Sequence, residues 1–323
     1  QMRIATLIIA AVLALVPCDV MAQPAPAKPA FSLPPESITV IAAKPSVATI
    51  ESFVEARGAR THSLDRMARW SLKICPLTIG LGDKYAAYVT RRIRDVAAAV
   101  GAPVDPDPAC QPNIEVVFTT KPQSLINSVR KSDPAYLGFH YTEQEADDLA
   151  QVTHPIQAWY TNISLSMYEH RPPGYGGQTL DMGRCGVTNS VSFRIGGHRV
   201  SLRCLTEAGG GPSRARDGMN GGFLNILIVA EPAKLFDYEV GSLADYITML
   251  ALSQPATLGG CEDLQSISNL LTPNCPAAAS QITNADIAYL RALYETAGGD
   301  RLPTQRTYIR EEMYRMLVTD KDH

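Results

Sequence analysis

The chain has 323 residues, enough for one large domain or two small ones. With 46% hydrophobic and 19% charged residues, its composition is that of a globular protein and excludes a largely disordered chain. The formal net charge of -3 is spread along the sequence, without the basic block of a nucleic-acid-binding protein or the acidic run of a solvating tail.

The N-terminal region has the pattern of an export signal. Arg3 precedes an apolar run from Ile4 to Val16 that is too short to span a bilayer comfortably, and Ala22 is a small residue at a suitable cleavage site. We therefore predict a signal peptide over residues 1–22, followed by an extended Pro/Ala-rich linker over residues 23–37. The mature chain is expected to be periplasmic or secreted and to lack a membrane span.

The cysteine content agrees with export. One of the seven cysteines falls in the predicted signal peptide, and an even number in the remaining exported chain indicates disulfides. The possible pairings are many, but the order of the cysteines suggests three local loops. No CxxC motif occurs and no histidine lies at ligand spacing from a cysteine, which disfavours zinc binding and redox catalysis. The pairs expected from order alone are Cys75–Cys110, Cys185–Cys204 and Cys261–Cys275.

Strands and helices are predicted to alternate through the first half of the chain. In order they are a strand at ITVIAA, a helix at VATIESFVEARG, a strand at CPLTIGL, a helix at KYAAYVTRRIRDVAAAVG, a strand at NIEVVFTT and a helix at PQSLINSVRKS. The second of these helices is the clearest amphipathic helix and ends at Gly101. Its apolar residues follow helical spacing: Ala87, Val89, Ile93, Val96, Ala97 and Val100.

The second half contains a group of strands and then a late run of helices. ADDLAQ is compatible with a short helix, IQAWYTNISLSMY predicts a long strand, and VSFRIGG with HRVSLRCLT predicts a hairpin. The glycine-rich segment AGGGPSRARDGMNGG is predicted to be a mobile loop before the strand NILIVAEP. Helices follow at GSLADYITMLALSQP, at ITNADIAYLRALYETAGG with Thr283 or Asn284 as the N-cap, and at TYIREEMYRML. Residues 38–323 are thus predicted to form one α+β domain with a mixed sheet.

Four of these segments, taken in order, resemble the zincin-like metallopeptidases of the matrixin type and secreted bacterial proteins built on the same plan. ICPLTIGL with the long amphipathic helix resembles the opening of that fold, and NIEVVFTT resembles its next strand. LADYITMLALSQ resembles the helix that carries the metal, while LQSISNLL and ITNADIAYLRALY resemble the turn beneath the metal and the closing helix. The resemblance covers Cys75 to Gly298 and implies a zincin-like α+β fold with a long first helix and a central late helix.

The resemblance fails at the metal site itself. A zincin helix reads H-E-x-x-H, which places two histidine ligands on one face and a glutamate beside the first as general base. Here the ligand positions hold no strong zinc ligand, and the glutamate position holds an aspartate, which is one methylene shorter. The residues are Ala244, Thr248 and Gln254 at the ligand positions and Asp245 at the base position, with Ser268 nearest to the usual methionine of the turn. We therefore expect no metal, no cofactor and no zincin-type hydrolysis.

The same helix has a simpler interpretation. An apolar helix with one Asp and one Thr is common in the cores of globular proteins and needs no zincin ancestor. The two interpretations differ in one structural expectation. A degenerate zincin helix would place Ala244 and Thr248 at an open cleft, whereas a core helix would bury them.

The segment IQAWYTNIS suggests a binding edge. Zincins hold peptide substrates by adding a strand to the sheet edge above the metal helix. If this segment is that edge, Trp159 and Tyr160 would face the cleft and an extended peptide would dock there. Because adjacent strand residues point to opposite faces, the alternative is that one of the two aromatic residues packs in the core.

Three hypotheses for function follow. The first is an exported zincin-like protein without catalysis, which acts as a binding or structural module in the cell envelope and has an extended peptide or an envelope protein as its partner. The second is an active hydrolase with an unrecognised nucleophile or metal site, such as zinc held by His140, His154 and His170. The third is an envelope protein with an unrelated α+β fold. A nucleic-acid partner is not expected.

Overall fold

The computed structural model of the chain describes most of the predicted domain. The described ranges are 44–61, 65–166, 190–195, 198–203, 219–297 and 300–319. The predicted signal peptide, the linker and the first predicted strand lie outside these ranges, and so does the predicted pairing of Cys185 with Cys204. Within the described ranges, no helix combines the length and the apolar character that crossing a membrane requires.

The helices lie where the hydrophobic patterns predict them, with small shifts of their ends. The apolar stripe of the long amphipathic helix is confirmed with one exception, since Ala87 is exposed while Val89 and Ile93 are buried. The last helix begins earlier than predicted, at Leu302, with Pro303 in its first turn. The α-helices of the described ranges are α1 (Val47–Arg57), α2 (Asp83–Ala99), α3 (Pro122–Ser132), α4 (Glu143–Leu149), α5 (Val240–Leu252), α6 (Asn284–Glu295) and α7 (Leu302–Tyr314).

The strands form one mixed sheet and one separate hairpin. They are β1 (Ala68–Arg69), β2 (Pro76–Ile79), β3 (Ile114–Phe118), β4 (Ile156–Ser166), β5 (Ser190–Ile195), β6 (His198–Arg203) and β7 (Met219–Ala230). β5 and β6 pair as the predicted antiparallel hairpin. In the sheet, β2, β3 and β7 run parallel side by side, β1 runs parallel to the first half of β7, and β4 runs antiparallel along the other edge of β7. The predicted α+β class with a mixed sheet is therefore confirmed.

Two glycines extend β7 beyond the predicted strand. The sequence predicts a mobile loop up to Gly222, but β7 begins at Met219 and pairs with β1 through Gly221 and Gly222. A Cβ on Gly221 would lie 3.1 Å from the carbonyl oxygen of Met67. The two backbones can come this close because no side chain stands between them. Gly221, which suggests a loop in the sequence, is thus favoured by close strand packing.

A bulge divides β7 into two parts. Thr161 of β4 pairs with Asn225, but the next residue, Asn162, pairs with Phe223, so that Leu224 is an extra residue in β7. Alternation of side chains is interrupted at this point. Phe223 consequently packs in the main core, while Asn225 faces the other side of the sheet.

The sheet separates two hydrophobic cores. α2 and α5 pack on one face, here called the lower face, and α1, α6 and α7 complete this main core. α3 and the 3-10 turn Pro134–Leu137 pack on the upper face, where Ile126, Val129 and Trp159 are buried. α5 lies deepest in the molecule, and every one of its residues is buried.

Buried polar contacts hold the segment between α5 and α6. Thr283, rather than Asn284, is the N-cap of α6 and forms a capping box with Asp286. The Asp286 carboxylate also accepts hydrogen bonds from the Ser266 hydroxyl and from the first backbone N–H of the 3-10 turn Ile267–Asn269. One carboxylate therefore fixes both the start of α6 and the turn that packs against α5.

Two of the three predicted disulfides fall within the described ranges, and both are present. Cys75–Cys110 joins the start of β2 to the loop that precedes β3. Cys261–Cys275 closes the loop around the turn beneath α5. Two such bonds indicate folding in an oxidising compartment.

Removal of either disulfide is expected to lower the free energy of unfolding, because each bond closes a loop in the unfolded chain. The cysteines are separated by 35 and 14 positions. Loop-closure entropy then predicts losses of about 4 kcal/mol for C75S/C110S and about 3 kcal/mol for C261S/C275S. Guanidinium unfolding without reductant measures both values. Unchanged stability in either double variant, or labelling of these cysteines by a thiol reagent in the native chain, would contradict the assignment.

Candidate functional site

Helix α5 carries two of the positions that the resemblance assigns to metal binding, Ala244 and Thr248, and both are buried. Ala244 and Thr248 are both 0% exposed. The Thr248 hydroxyl donates a hydrogen bond to the Ala244 carbonyl at 2.7 Å, within the helix itself. The expectation of an open cleft in front of these residues is wrong, and their burial agrees with the interpretation of α5 as a core helix.

Asp245 joins α5 to its neighbours instead of facing water. Its side chain is buried. Nε of Arg92 on α2 donates to Oδ1 of Asp245 at 2.5 Å, and the Ile282 N–H, just before α6, donates to Oδ2 at 2.8 Å. Both carboxylate oxygens are therefore engaged in protein contacts. This arrangement supports a structural role and does not present a general base to a substrate.

The other two positions implied by the resemblance are also structural. Gln254 follows α5, and its Oε1 accepts a hydrogen bond from Nδ2 of Asn162 on β4 at 3.0 Å. Ser268 is buried in the turn beneath α5, where its N–H donates to the Ser266 hydroxyl oxygen at 2.9 Å. These contacts link the ends of neighbouring elements and assemble no ligand set.

The predicted aromatic edge is split between the two faces of the sheet. Trp159 is buried in the upper core, and its Nε1 donates to the Leu149 carbonyl at 2.7 Å. Tyr160 packs against the main core, and its hydroxyl donates to the carbonyls of Leu250 and Ser253 at 3.0 and 3.2 Å. The prediction that both rings face one cleft is wrong, because adjacent strand residues point to opposite faces. β4 itself is an edge strand among the described strands, since it pairs only with β7.

No metal site is formed within the described part of the chain, where no group of three His, Cys, Asp or Glu side chains could hold an ion. Nδ1 of His140 lies 3.0 Å from the Gly138 carbonyl oxygen. Nδ1 of His154 lies 2.8 Å from the Thr153 hydroxyl oxygen. His170 lies outside the described ranges, so convergence of the three histidines stays a prediction.

A buried carboxyl group on the upper face is a candidate site that the sequence reasoning missed. Glu115, in the middle of β3, is 1% exposed. Its Oε2 accepts a hydrogen bond from Nδ2 of Asn225 at 3.0 Å, whereas its Oε1 has no hydrogen-bond partner in the described structure. Burial raises the pKa of Glu115 to about 8, although the hydrogen bond from Asn225 acts in the opposite direction. Burial therefore favours the protonated form of this carboxyl.

Two further acidic groups belong to this part of the upper face. Burial raises the pKa of Tyr136, and the negative charges of Glu115 and Asp133 raise it further. Burial also raises the pKa of Asp133, with a backbone hydrogen bond from Ala135 acting the other way. Burial thus raises the pKa of three acidic groups on the upper face. Perturbed acids of this kind are frequent at functional sites.

The sequence contains a signal for Glu115. NIEVVFTT is predicted as a strand, and Glu115 is its one charged residue. Strands of parallel sheets are buried on both faces, so a charged residue within such a run must itself be buried. A buried acid without a cationic neighbour is a candidate for function.

Comparison of the chain with models of known protein families, with curated proteins and with solved structures finds no match. The resemblance to zincins therefore rests on the quoted segments and on the order of the elements.

Replacement of Asp245 by Asn is expected to destabilise the protein by roughly 2–4 kcal/mol, because it leaves the Arg92 guanidinium without its buried counter-charge. Urea unfolding at neutral pH measures the change. The control is Glu51→Gln, which removes a more exposed ion pair with Arg310 and should lower stability by less than about 1 kcal/mol. Equal effects of the two substitutions would show that Asp245 does not anchor α5.

Replacement of Glu115 by Gln is expected to change how stability depends on pH. The pKa of this carboxyl rises from 4.5 to about 8 on folding, so the folded state holds more protons between these values and stability falls as pH rises through them. Glu115→Gln removes this contribution and should be more stable than the native chain at pH 8 by a few kcal/mol, on the order of 3. At pH 5 the two should be closer.

Urea unfolding at several pH values between 5 and 8 tests this expectation. Glu311→Gln, which changes an exposed carboxylate on α7, provides the matched control and should follow the native pH profile. If Glu115→Gln also follows the native profile, Glu115 titrates as an ordinary carboxylate and the argument for a buried neutral acid fails.

Proposed function

We propose that the chain is an exported, non-catalytic protein that acts by binding a partner in the cell envelope. The observation that carries this proposal is the burial of α5. Ala244 and Thr248 are sealed in the main core, and Asp245 is paired with Arg92. The one helix that the sequence associates with catalysis therefore has a structural role.

Export is supported by independent features. The two disulfides fit an oxidising compartment. The N-terminal sequence has the charge and hydropathy pattern of a signal peptide. Together they support a periplasmic or secreted location, in which a stable disulfide-bonded domain can act as a binding module.

Relationship to the zincins is a separate proposal, supported by the order of the elements. β2 leads to the long helix α2, β3 follows, and the turn Ile267–Asn269 packs against α5 before α6 begins. This order agrees with what the resemblance implies. The burial of Ala244 and Thr248 counts against it, and the proposed binding function does not depend on it.

The alternative is a hydrolase that uses a site other than α5. The observation that favours it is Glu115, a buried acid with one carboxyl oxygen unpartnered among the described residues. A carboxylic acid that stays protonated near neutral pH can serve as a general acid. The observation is weaker than the first, because Glu115 is 1% exposed and its described side-chain partner is the amide of Asn225.

Metal analysis and hydrolysis assays of the purified, disulfide-bonded chain distinguish the two functions. The binding function predicts far less than one zinc ion per chain and no cleavage of casein or of a mixed peptide library, with or without added zinc. Stoichiometric zinc would overturn the proposal. So would cleavage that Glu115→Gln abolishes and the control Glu311→Gln retains, and that result would establish the hydrolase.

A further inference from the structure

A pair of exposed aromatic rings stands on the segment that joins the turn Pro134–Leu137 to α4. Phe139 is 54% exposed and Tyr141 is 73% exposed. Their ring centroids are 4.7 Å apart in an edge-to-face arrangement. Large aromatic side chains are usually covered, and a pair exposed together marks a surface suited to contact with another molecule.

The backbone around the pair is fixed by local contacts. Gly138 has a φ of +113°, and a Cβ at this position would lie 3.3 Å from the Tyr160 carbonyl oxygen, so the segment runs close against β4. Thr142 and Glu145 form a capping box at the start of α4. The Tyr141 N–H also donates to Oε2 of Glu145 at 2.6 Å. The rings are therefore presented from an ordered position, which reduces the entropy lost on binding.

The helix beside the rings is acidic. α4 contributes four carboxylates, at Glu143, Glu145, Asp147 and Asp148, and all four residues are exposed. Arg130 forms ion pairs with Glu143 and Asp147. Four carboxylates beside the Arg130 guanidinium give the surface a net negative charge. We call the run from Phe139 to Asp148 the aromatic–acidic surface.

We propose that the aromatic–acidic surface binds a short basic segment of a partner protein. The rings offer apolar contact and cation–π interactions to Lys or Arg side chains, and the carboxylates attract their positive charge. The same negative charge disfavours anionic lipid and acidic peptides. This inference rests on the proposed binding function and names its surface and its class of partner.

Binding of two labelled peptides by fluorescence anisotropy tests the assignment. One peptide alternates Lys and Val, and the other alternates Glu and Val. The basic peptide should bind the disulfide-bonded chain at low salt and weaken as salt rises, while the acidic peptide should not bind. The double variant Phe139→Ala/Tyr141→Ala should bind the basic peptide about tenfold more weakly.

Two controls separate this surface from general charge and exposure effects. Phe236→Ala removes another exposed ring, which is 60% exposed, and should leave affinity unchanged. Asp148→Asn should weaken binding about two- to threefold, whereas Glu311→Gln on α7 should not. Unchanged thermal unfolding midpoints show that the variants remain folded, as expected for exposed positions.

Three results would overturn the assignment. They are equal binding of the two peptides, native affinity in the double aromatic variant, and no binding of the basic peptide to the native chain. Self-association that the double aromatic variant abolishes would also overturn it, in favour of a second copy of the chain. None of these results alters the zinc content or the absence of hydrolysis, so failure of this inference and failure of the proposed function are distinguishable.

Discussion

A helix enclosed on all sides by protein cannot leave a charged group without a counter-charge, and this constraint organises the main core. Asp245 is the charged residue of α5, and it is satisfied by Arg92 from α2 and by the backbone N–H of Ile282. Because these partners come from two other segments, a single carboxylate sets where α2 and α6 stand relative to α5. The hydrophobic residues of the lower face pack around this hydrogen-bonded carboxylate.

Buried carboxyl groups on the two faces of the sheet have different hydrogen-bond partners. On the lower face, Asp245 and Asp286 have both oxygens engaged by donors from neighbouring segments. On the upper face, Glu115 has one amide donor from Asn225 and an oxygen without a described partner. Burial raises the pKa of Asp286 as well as that of Glu115. The contacts therefore differ in kind, because Asp245 pairs with the Arg92 guanidinium whereas Glu115 is bonded to the neutral amide of Asn225.

Local patterns predict the elements of this fold well. The ends of α3 coincide with the predicted segment PQSLINSVRKS, and the β5–β6 hairpin and two disulfides agree with the sequence. These features depend on spacing, turns and chain order, which are local properties. The same reasoning fails where a long-range neighbour decides the outcome. Gly221 belongs to a strand because another backbone approaches it, and Ala87 is exposed although it continues an apolar stripe.

The candidate site is harder to predict than the fold for the same reason. The spacing of the zincin motif identifies α5 and the four positions to examine. Only the structure shows that Ala244 and Thr248 are buried in the core. Strand alternation predicts that the side chains of Trp159 and Tyr160 point to opposite faces of the sheet. It does not predict that both rings are packed in a core and hydrogen-bonded to backbone carbonyls. Glu115 is visible as a charge in an apolar strand, while its side-chain partner Asn225 is far along the chain.

The bulge at Leu224 bears on how the chain can diverge. In a regular strand, loss of one residue turns every later side chain to the opposite face. Here Phe223 and Asn225 already lie on opposite faces although one residue separates them. Deletion of Leu224 would make Phe223 and Asn225 neighbours in a regular strand. Their side chains would then still point to the opposite faces that they occupy now. Related sequences can therefore lose one residue in the middle of β7 while the same side chains stay packed in each of the two cores.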